Sequence, residues 1–211
     1  YSPTEDRVAV VGQLPNSGTM SFEVLRVLIY EGRTGKLLQH FLVWPQVVEF
    51  LNKEGESGPY SYFRTPTGIR GFHLHGVPVN LQYSPDGKLL LYQSSQHLLV
   101  FDAENGKLLR PMAWRDNGPR SFGPFADSVA FSHDGKRIAS PTKNSSITTW
   151  DVASGMEQIK YETGGTCADA AYSRDFSEIV ASRWYTGSSV ENHGIHFYRL
   201  DRPTSQTQLV T

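Results

Sequence analysis

Phe131-Ser132-His133-Asp134-Gly135-Lys136-Arg137-Ile138-Ala139-Ser140 decides the fold of this chain, together with the close of the same unit, Trp150-Asp151-Val152-Ala153-Ser154-Gly155. Upstream, Asp127 to Phe131 alternates, with Val129 and Phe131 on one side and Ser128 and Ala130 on the other, the period of a strand. His133-Asp134-Gly135 is a tight turn, its glycine free to take the positive φ a hairpin needs. Arg137 to Ser140 is then a second strand, Asn144-Ser145-Ser146 a turn, Ile147 to Trp150 a third strand, and Met156 to Tyr161 a fourth beyond Gly155. Hairpin follows hairpin with no helical period between them, so the unit is a four-stranded antiparallel meander.

The same phrases recur along the chain. Tyr1-Ser2-Pro3, Tyr83-Ser84-Pro85-Asp86-Gly87-Lys88 and Tyr172-Ser173-Arg174-Asp175 repeat the opening. Tyr30-Glu31-Gly32-Arg33-Thr34-Gly35, Phe101-Asp102-Ala103-Glu104-Asn105-Gly106 and Tyr198-Arg199-Leu200-Asp201 repeat the close. The second copy supplies strands at Val79–Tyr83, Leu89–Tyr92, Leu98–Phe101 and Lys107–Leu109. The first supplies Arg7–Val11 and Val27–Tyr30, and the fourth Glu178–Ser182 and Ile195–Tyr198. A period of ~40–45 residues built from strands and turns is that of propeller blades, which bury their faces only by stacking.

Trp150-Asp151, and the near match Phe101-Asp102, stand where the WD-repeat family closes its third strand. The chain resembles a divergent, bacterial-type WD-repeat β-propeller, and the Ser-Pro-Asp-Gly-Lys turn belongs to that resemblance. The family's Gly-His before the first strand is missing, and Asn144 sits near its turn aspartate. That puts in doubt the buried His–Asp–Ser–Trp network such blades use. The resemblance implies an all-β fold of four-stranded antiparallel blades, about four of them, forming a partial ring. Blade one takes 1–43, blade two 76–110, blade three 127–161 and blade four 167–211, all in one propeller region. The gap from Tyr30 to Tyr83 exceeds that from Trp150 to Tyr172 by less than one blade of ~40 residues. Residues 44–75 are therefore expected to be an insertion rather than a degenerate blade, with a helical turn at Val47–Leu51 and a short strand at Tyr60–Phe63. Blade one begins at its innermost strand and blade four ends at its outermost, leaving no strand to join first blade to last. Since Tyr1 is no methionine and falls where other repeats end a strand, the chain is expected to be part of a longer one. Neighbouring domains, missing blades or self-association would then complete it.

Connection lengths are unequal. First-to-second turns (Pro3–Asp6, Pro85–Gly87, His133–Gly135, Arg174–Ser177) are short, as are the third-to-fourth turns ending at Gly35, Gly106 and Gly155. The long connections are second-to-third (Gly12–Ser21, Tyr185–Gly194) and fourth-to-first (44–75, Pro111–Ala126). In an up-and-down blade these two kinds leave from the same rim, so every long loop is expected on one face. Insertions gathered on one face mark the binding side of repeat proteins. They carry Trp44, Tyr60, Tyr62, Phe63, Arg64, Trp114, Arg115, Arg120, Trp184 and Tyr185. Aromatic residues and arginine dominate binding hot spots, and these ten are the candidate contact residues. Equally, an inserted segment must cover itself, and aromatics do that too.

Composition narrows the function. Charge is balanced, with 20 basic and 21 acidic residues, and no basic stripe suits nucleic acid or an anionic surface. No apolar run reaches the ~18 residues needed to span a bilayer. One cysteine, Cys167, allows neither an internal disulfide nor a thiolate metal cluster. It fits a reducing compartment, with the cytoplasm as expectation, and is expected to be a small buried thiol. His73 and His75 share a strand face but lack a third ligand, and His193 and His196 are weaker still. There is no nucleophile elbow and no phosphate loop. The innermost strand ends offer Asn80, Gln82, Ser128, Ala130, Asp169 and Ala171, too thin a set for catalysis at an axis. The expectation is a non-enzymatic scaffold, without cofactor or metal, docking a protein or peptide on the long-loop face. The alternative is a propeller enzyme, a lactonase-like hydrolase or a cofactor-dependent oxidoreductase, working in the central channel.

Overall fold

The computed structural model describes residues 1–13, 25–43, 45–47, 49, 64–65, 68–69, 78–94, 98–112, 128–142, 146–163, 166–174, 176–184, 194–199 and 208–209. They fall into two compact units, Tyr1–Gly118 and Pro119–Thr211.

The first unit opens with a three-stranded antiparallel sheet of β1 (Arg7–Gln13), β2 (Leu25–Glu31) and β3 (Leu37–Leu42). Here the expectation is corrected: residues 1–6 carry no strand, so this sheet starts at the second strand of the repeat. β1 also runs through Gly12 and Gln13, which the sequence reading assigned to a loop. Next come helical residues at 43, 45–47 and 49, which overlap the start of the helical turn expected at 47–51, whose end lies outside the described residues, and an antiparallel pair of β4 (Arg64–Thr65) and β5 (Gly68–Ile69). The strand expected at 60–63 lies outside the described residues. β6 (Pro78–Tyr83), β7 (Leu89–Ser94), β8 (Leu98–Asp102) and β9 (Leu108–Pro111) form a four-stranded sheet in that order. Leu98-Leu99-Val100-Phe101 is apolar without alternation because both faces of β8 are buried. Tyr92, Leu99 and Phe101 pack on Val27, Ile29 and Phe41, the two phenylalanine rings 5.0 Å apart.

The second unit repeats the plan twice. β10 (Ala130–Phe131), β11 (Arg137–Thr142), β12 (Ser146–Asp151) and β13 (Glu157–Glu162) form one sheet. β14 (Thr166–Tyr172), β15 (Glu178–Trp184), β16 (Gly194–Arg199) and β17 (Gln208–Leu209) form the other. Between them Ala139 and Ile147 pack against Cys167, Ile179, Ala181 and Tyr198. β13 is exposed and polar, with Lys160 3.1 Å from Glu162, a charged surface that discourages further strand pairing.

One regularity was not visible in the sequence. The third and fourth strands slip register just before the closing aromatic in three sheets, at Ile29/Tyr30, Val100/Phe101 and Thr149/Trp150. Leu38, Leu109 and Gln158 are skipped there, each a bulge that sharpens local twist.

Candidate functional site

The short turns of the second and third sheets are held by local hydrogen bonds. Ser84 Oγ donates to Asp86 Oδ1 at 2.6 Å and accepts from Leu89 N at 2.9 Å, while Lys88 N donates to Asp86 Oδ1 at 3.1 Å. Ser132, Asp134, Lys136 and Arg137 repeat this at 2.6, 2.9 and 3.1 Å. The serine hydroxyl is the main reason both carboxyls are held below their usual range, with the lysine amide and charge adding to it. The third-to-fourth turns use an aspartate as acceptor: Asp102 Oδ1 takes Glu104 N at 2.8 Å, and Asp151 Oδ1 takes Ser154 N at 2.7 Å.

The two turn types are tied together. Gly32 N donates to Asp6 O, Ala103 N to Lys88 O and Val152 N to Lys136 O, each at 2.8 Å. In these three sheets the turn that leads into the second strand of the repeat and the third-to-fourth turn therefore share one edge. Second-to-third and fourth-to-first connections leave from the other. Neighbouring turns also meet within a unit: Thr4 Oγ1 lies 3.4 Å from Asp86 O, and Arg174 Nη2 donates to His133 Nε2 at 2.8 Å. The fourth sheet departs from the rule of uniformly tight turns. Its third-to-fourth connection, 200–207, is long, so the expectation of long loops on one edge only is corrected there.

The first long connection is anchored in a way sequence reading missed. Gln46 Nε2 donates to Gly106 O at 2.9 Å, and Leu108 N donates to Gln46 Oε1 at 2.6 Å. Val43 and Val47 are buried beside it. The start of segment 44–75 is thus stitched to the β8–β9 turn, and only the apolar i, i+4 pair Val43/Val47 hinted at it.

Of the ten candidate contact residues, Trp44, Tyr60, Tyr62, Phe63, Trp114, Arg115, Arg120 and Tyr185 lie outside the described residues. Arg64 is in β4, and Trp184 ends β15 opposite Thr166, a strand position rather than the expected loop. Gly194 likewise belongs to β16. His73, His75 and His193 lie outside the described residues, and Cys167 is buried. Among the described residues no three His, Cys, Asp or Glu side chains converge, and no helix is long and apolar enough to cross a membrane.

No protein-family profile matches the chain. A stretch of 71 residues is 34% identical to the intraflagellar transport protein 122 homolog of Mus musculus, covering 34% of this chain and 5% of that protein. The Homo sapiens counterpart is 31% identical over 71 residues, with the same coverage. The match thus takes in only a small part of those relatives' length. The β-propeller domain of Cps50 (Swd1) from Myceliophteria thermophila superposes with a TM-score of 0.50 at 12% identity, covering 64% of this chain and 39% of that one. The fold is accordingly all-β, its four-stranded antiparallel sheets resembling the blades of a β-propeller.

Proposed function

We propose that the chain is a non-enzymatic interaction scaffold of the divergent, bacterial-type WD-repeat class, which docks a protein or peptide on the edge bearing its long connections. The observation that carries this is the pairing of short turns by the 2.8 Å bonds from Gly32, Ala103 and Val152, which leaves the longest connections to the opposite edge. Trp44, Tyr60, Tyr62, Phe63, Arg64, Trp114, Arg115, Arg120, Trp184 and Tyr185 supply its contacts, large in area and low in torsional cost. The blades run over 1–43, 76–110, 127–161 and 167–211, with 44–75 inserted.

Panning a displayed random-peptide library on the chain tests this. Enriched peptides should lose at least ~10-fold in affinity against Trp114→Ala or Trp184→Ala, as for truncated hot spots, with the melting transition unmoved. A large fall in melting temperature with peptide binding intact would assign the tryptophans to the core. A rise of several degrees on adding Ca²⁺ or Zn²⁺ would favour a metal enzyme instead.

A further inference from the structure

A glycine that follows asparagine or aspartate has no Cβ to keep its amide nitrogen away from the preceding side-chain carbonyl, so such pairs are chemically labile. Three occur among the described residues, Asp86–Gly87, Asp134–Gly135 and Asn105–Gly106, each with its glycine at positive φ in a short turn. They are not equally reactive. Ser84 and Ser132 donate to the two aspartates at 2.6 Å and help keep them ionised, and a carboxylate is a poor electrophile. Asn105 is a neutral amide exposed to solvent. Lys107 N donates to its Oδ1 at 2.9 Å, which draws electron density from Cγ.

Gly106, the nucleophile's residue, is buried and held from several sides. Its N–H donates to Asp102 O at 2.9 Å, its carbonyl accepts from Gln46 Nε2 at 2.9 Å, and the Phe41 ring sits where a Cβ would go. Gln46 also accepts from Leu108 N at 2.6 Å and donates to Leu42 O at 3.2 Å. One side-chain amide therefore pins the β8–β9 turn to the end of β3. While these bonds hold, the Gly106 nitrogen is not free to swing onto Asn105 Cγ.

We propose that Asn105–Gly106 is a self-modification site, a succinimide-forming pair gated by the Gln46 clasp. When the clasp opens, the Gly106 nitrogen gives its proton to hydroxide and bonds to Asn105 Cγ. The Cγ–Nδ2 bond breaks, and the nitrogen leaves as ammonia with a proton taken from water, which restores the hydroxide. Water then opens the ring at either carbonyl, leaving aspartate or isoaspartate and one added negative charge. Isoaspartate routes the backbone through the former side chain, so Lys107 N loses its acceptor and Gly106 O is carried away from Gln46. Loss of ammonia makes the step one-way, so each reactive opening loosens the contact between the first two sheets permanently.

Peptide mapping by mass spectrometry after incubation in mildly alkaline buffer reads conversion at Asn105. It separates this site from the pair Asn117–Gly118, which lies outside the described residues. The folded chain should convert at least ~10-fold more slowly than the same chain in denaturant, because only the open fraction reacts. Gln46→Ala should raise the folded rate severalfold with the circular dichroism unchanged. If that variant does not fold, the parent in sub-denaturing urea serves instead, its conversion rising in step with hydrogen exchange of the Gly106 amide. The purified isoaspartate form should melt below Asn105→Asp, whose backbone is intact. Three results would each overturn the proposal: no conversion at Asn105 in denaturant, equal rates in the folded and denatured chains, or a folded rate indifferent to both Gln46→Ala and urea.

Discussion

The third and fourth sheets turn the same corner with different residues. In Ser132-His133-Asp134-Gly135 a glycine takes φ 69°, and in Ser173-Arg174-Asp175-Phe176 a phenylalanine takes φ 61°. The amide bond closing the turn is the same, Gly135 N to Ser132 O at 2.8 Å and Phe176 N to Ser173 O at 2.9 Å. A phenylalanine in the left-handed region costs on the order of 1–3 kcal/mol. Its ring is 2% exposed, stacks on Tyr172 at 5.2 Å and lies 5.6 Å from the Arg137 guanidinium of the preceding sheet. Burying such a ring contributes roughly 1.5–3 kcal/mol, enough to offset the strain. A turn that glycine makes locally is thus made in the fourth sheet by packing between sheets.

Removing the ring breaks that comparison most strongly. Phe176→Ala keeps the strained φ and loses the core contact, so denaturant unfolding should show a loss of about 3–5 kcal/mol. Phe176→Gly relieves the strain and should recover part of it. If both variants matched the parent, the ring would be carrying no packing.

A milder test uses two glycines in one kind of turn. Gly35 and Gly106 take φ 67° and 69°. A Cβ on Gly35 would meet nothing, while one on Gly106 would press into the Phe41 ring and lie 2.8 Å from Gln39 Nε2. Gly35→Ala should cost about 1 kcal/mol from backbone strain alone. Gly106→Ala adds a clash and should cost roughly 1–3 kcal/mol more, as overpacking does. Equal losses in melting experiments would show that the first and second sheets have room to part.

These contrasts mark how far the sequence could be read. The Ser-x-Asp-Gly turns were legible because their bonds are made by residues within one short phrase, Ser84 with Asp86 and Ser132 with Asp134. The strands around Leu89–Tyr92 and Ile147–Trp150 were legible from their apolar and β-branched runs between turn signals. Phe176 was not, because a phenylalanine at positive φ makes sense only beside Tyr172 and Arg137, distant or uninformative in sequence. The Gln46 clasp escaped for the same reason, since its partners Gly106 and Leu108 belong to another sheet. The bulges at Ile29/Tyr30 and Val100/Phe101 escaped because alternation does not encode a skipped residue. Of the candidate site, sequence gave residue types on long connections, and Trp184 proved to close a strand instead.

A change that need not weaken the fold at all concerns Tyr92, whose counterpart in the third sheet is Ser140. Ser140 Oγ donates to Pro141 O at 3.1 Å, whereas the Tyr92 hydroxyl is buried without a partner. Burial pushes its ionisation from 10.0 up to about 12. Below pH 10 both folded and unfolded chains hold the phenol neutral, so its contribution is fully present there. As pH rises from about 10 towards 12 the unfolded chain ionises first, and that contribution is lost. Tyr92→Phe removes an unpaired hydroxyl and keeps the ring, so at neutral pH stability should hold or rise by up to ~1–3 kcal/mol, the cost of an unsatisfied buried group. Its alkaline decline should also be shallower than the parent's. Destabilisation at neutral pH would mean that the hydroxyl has a partner after all, and the contrast with Ser140 would fall.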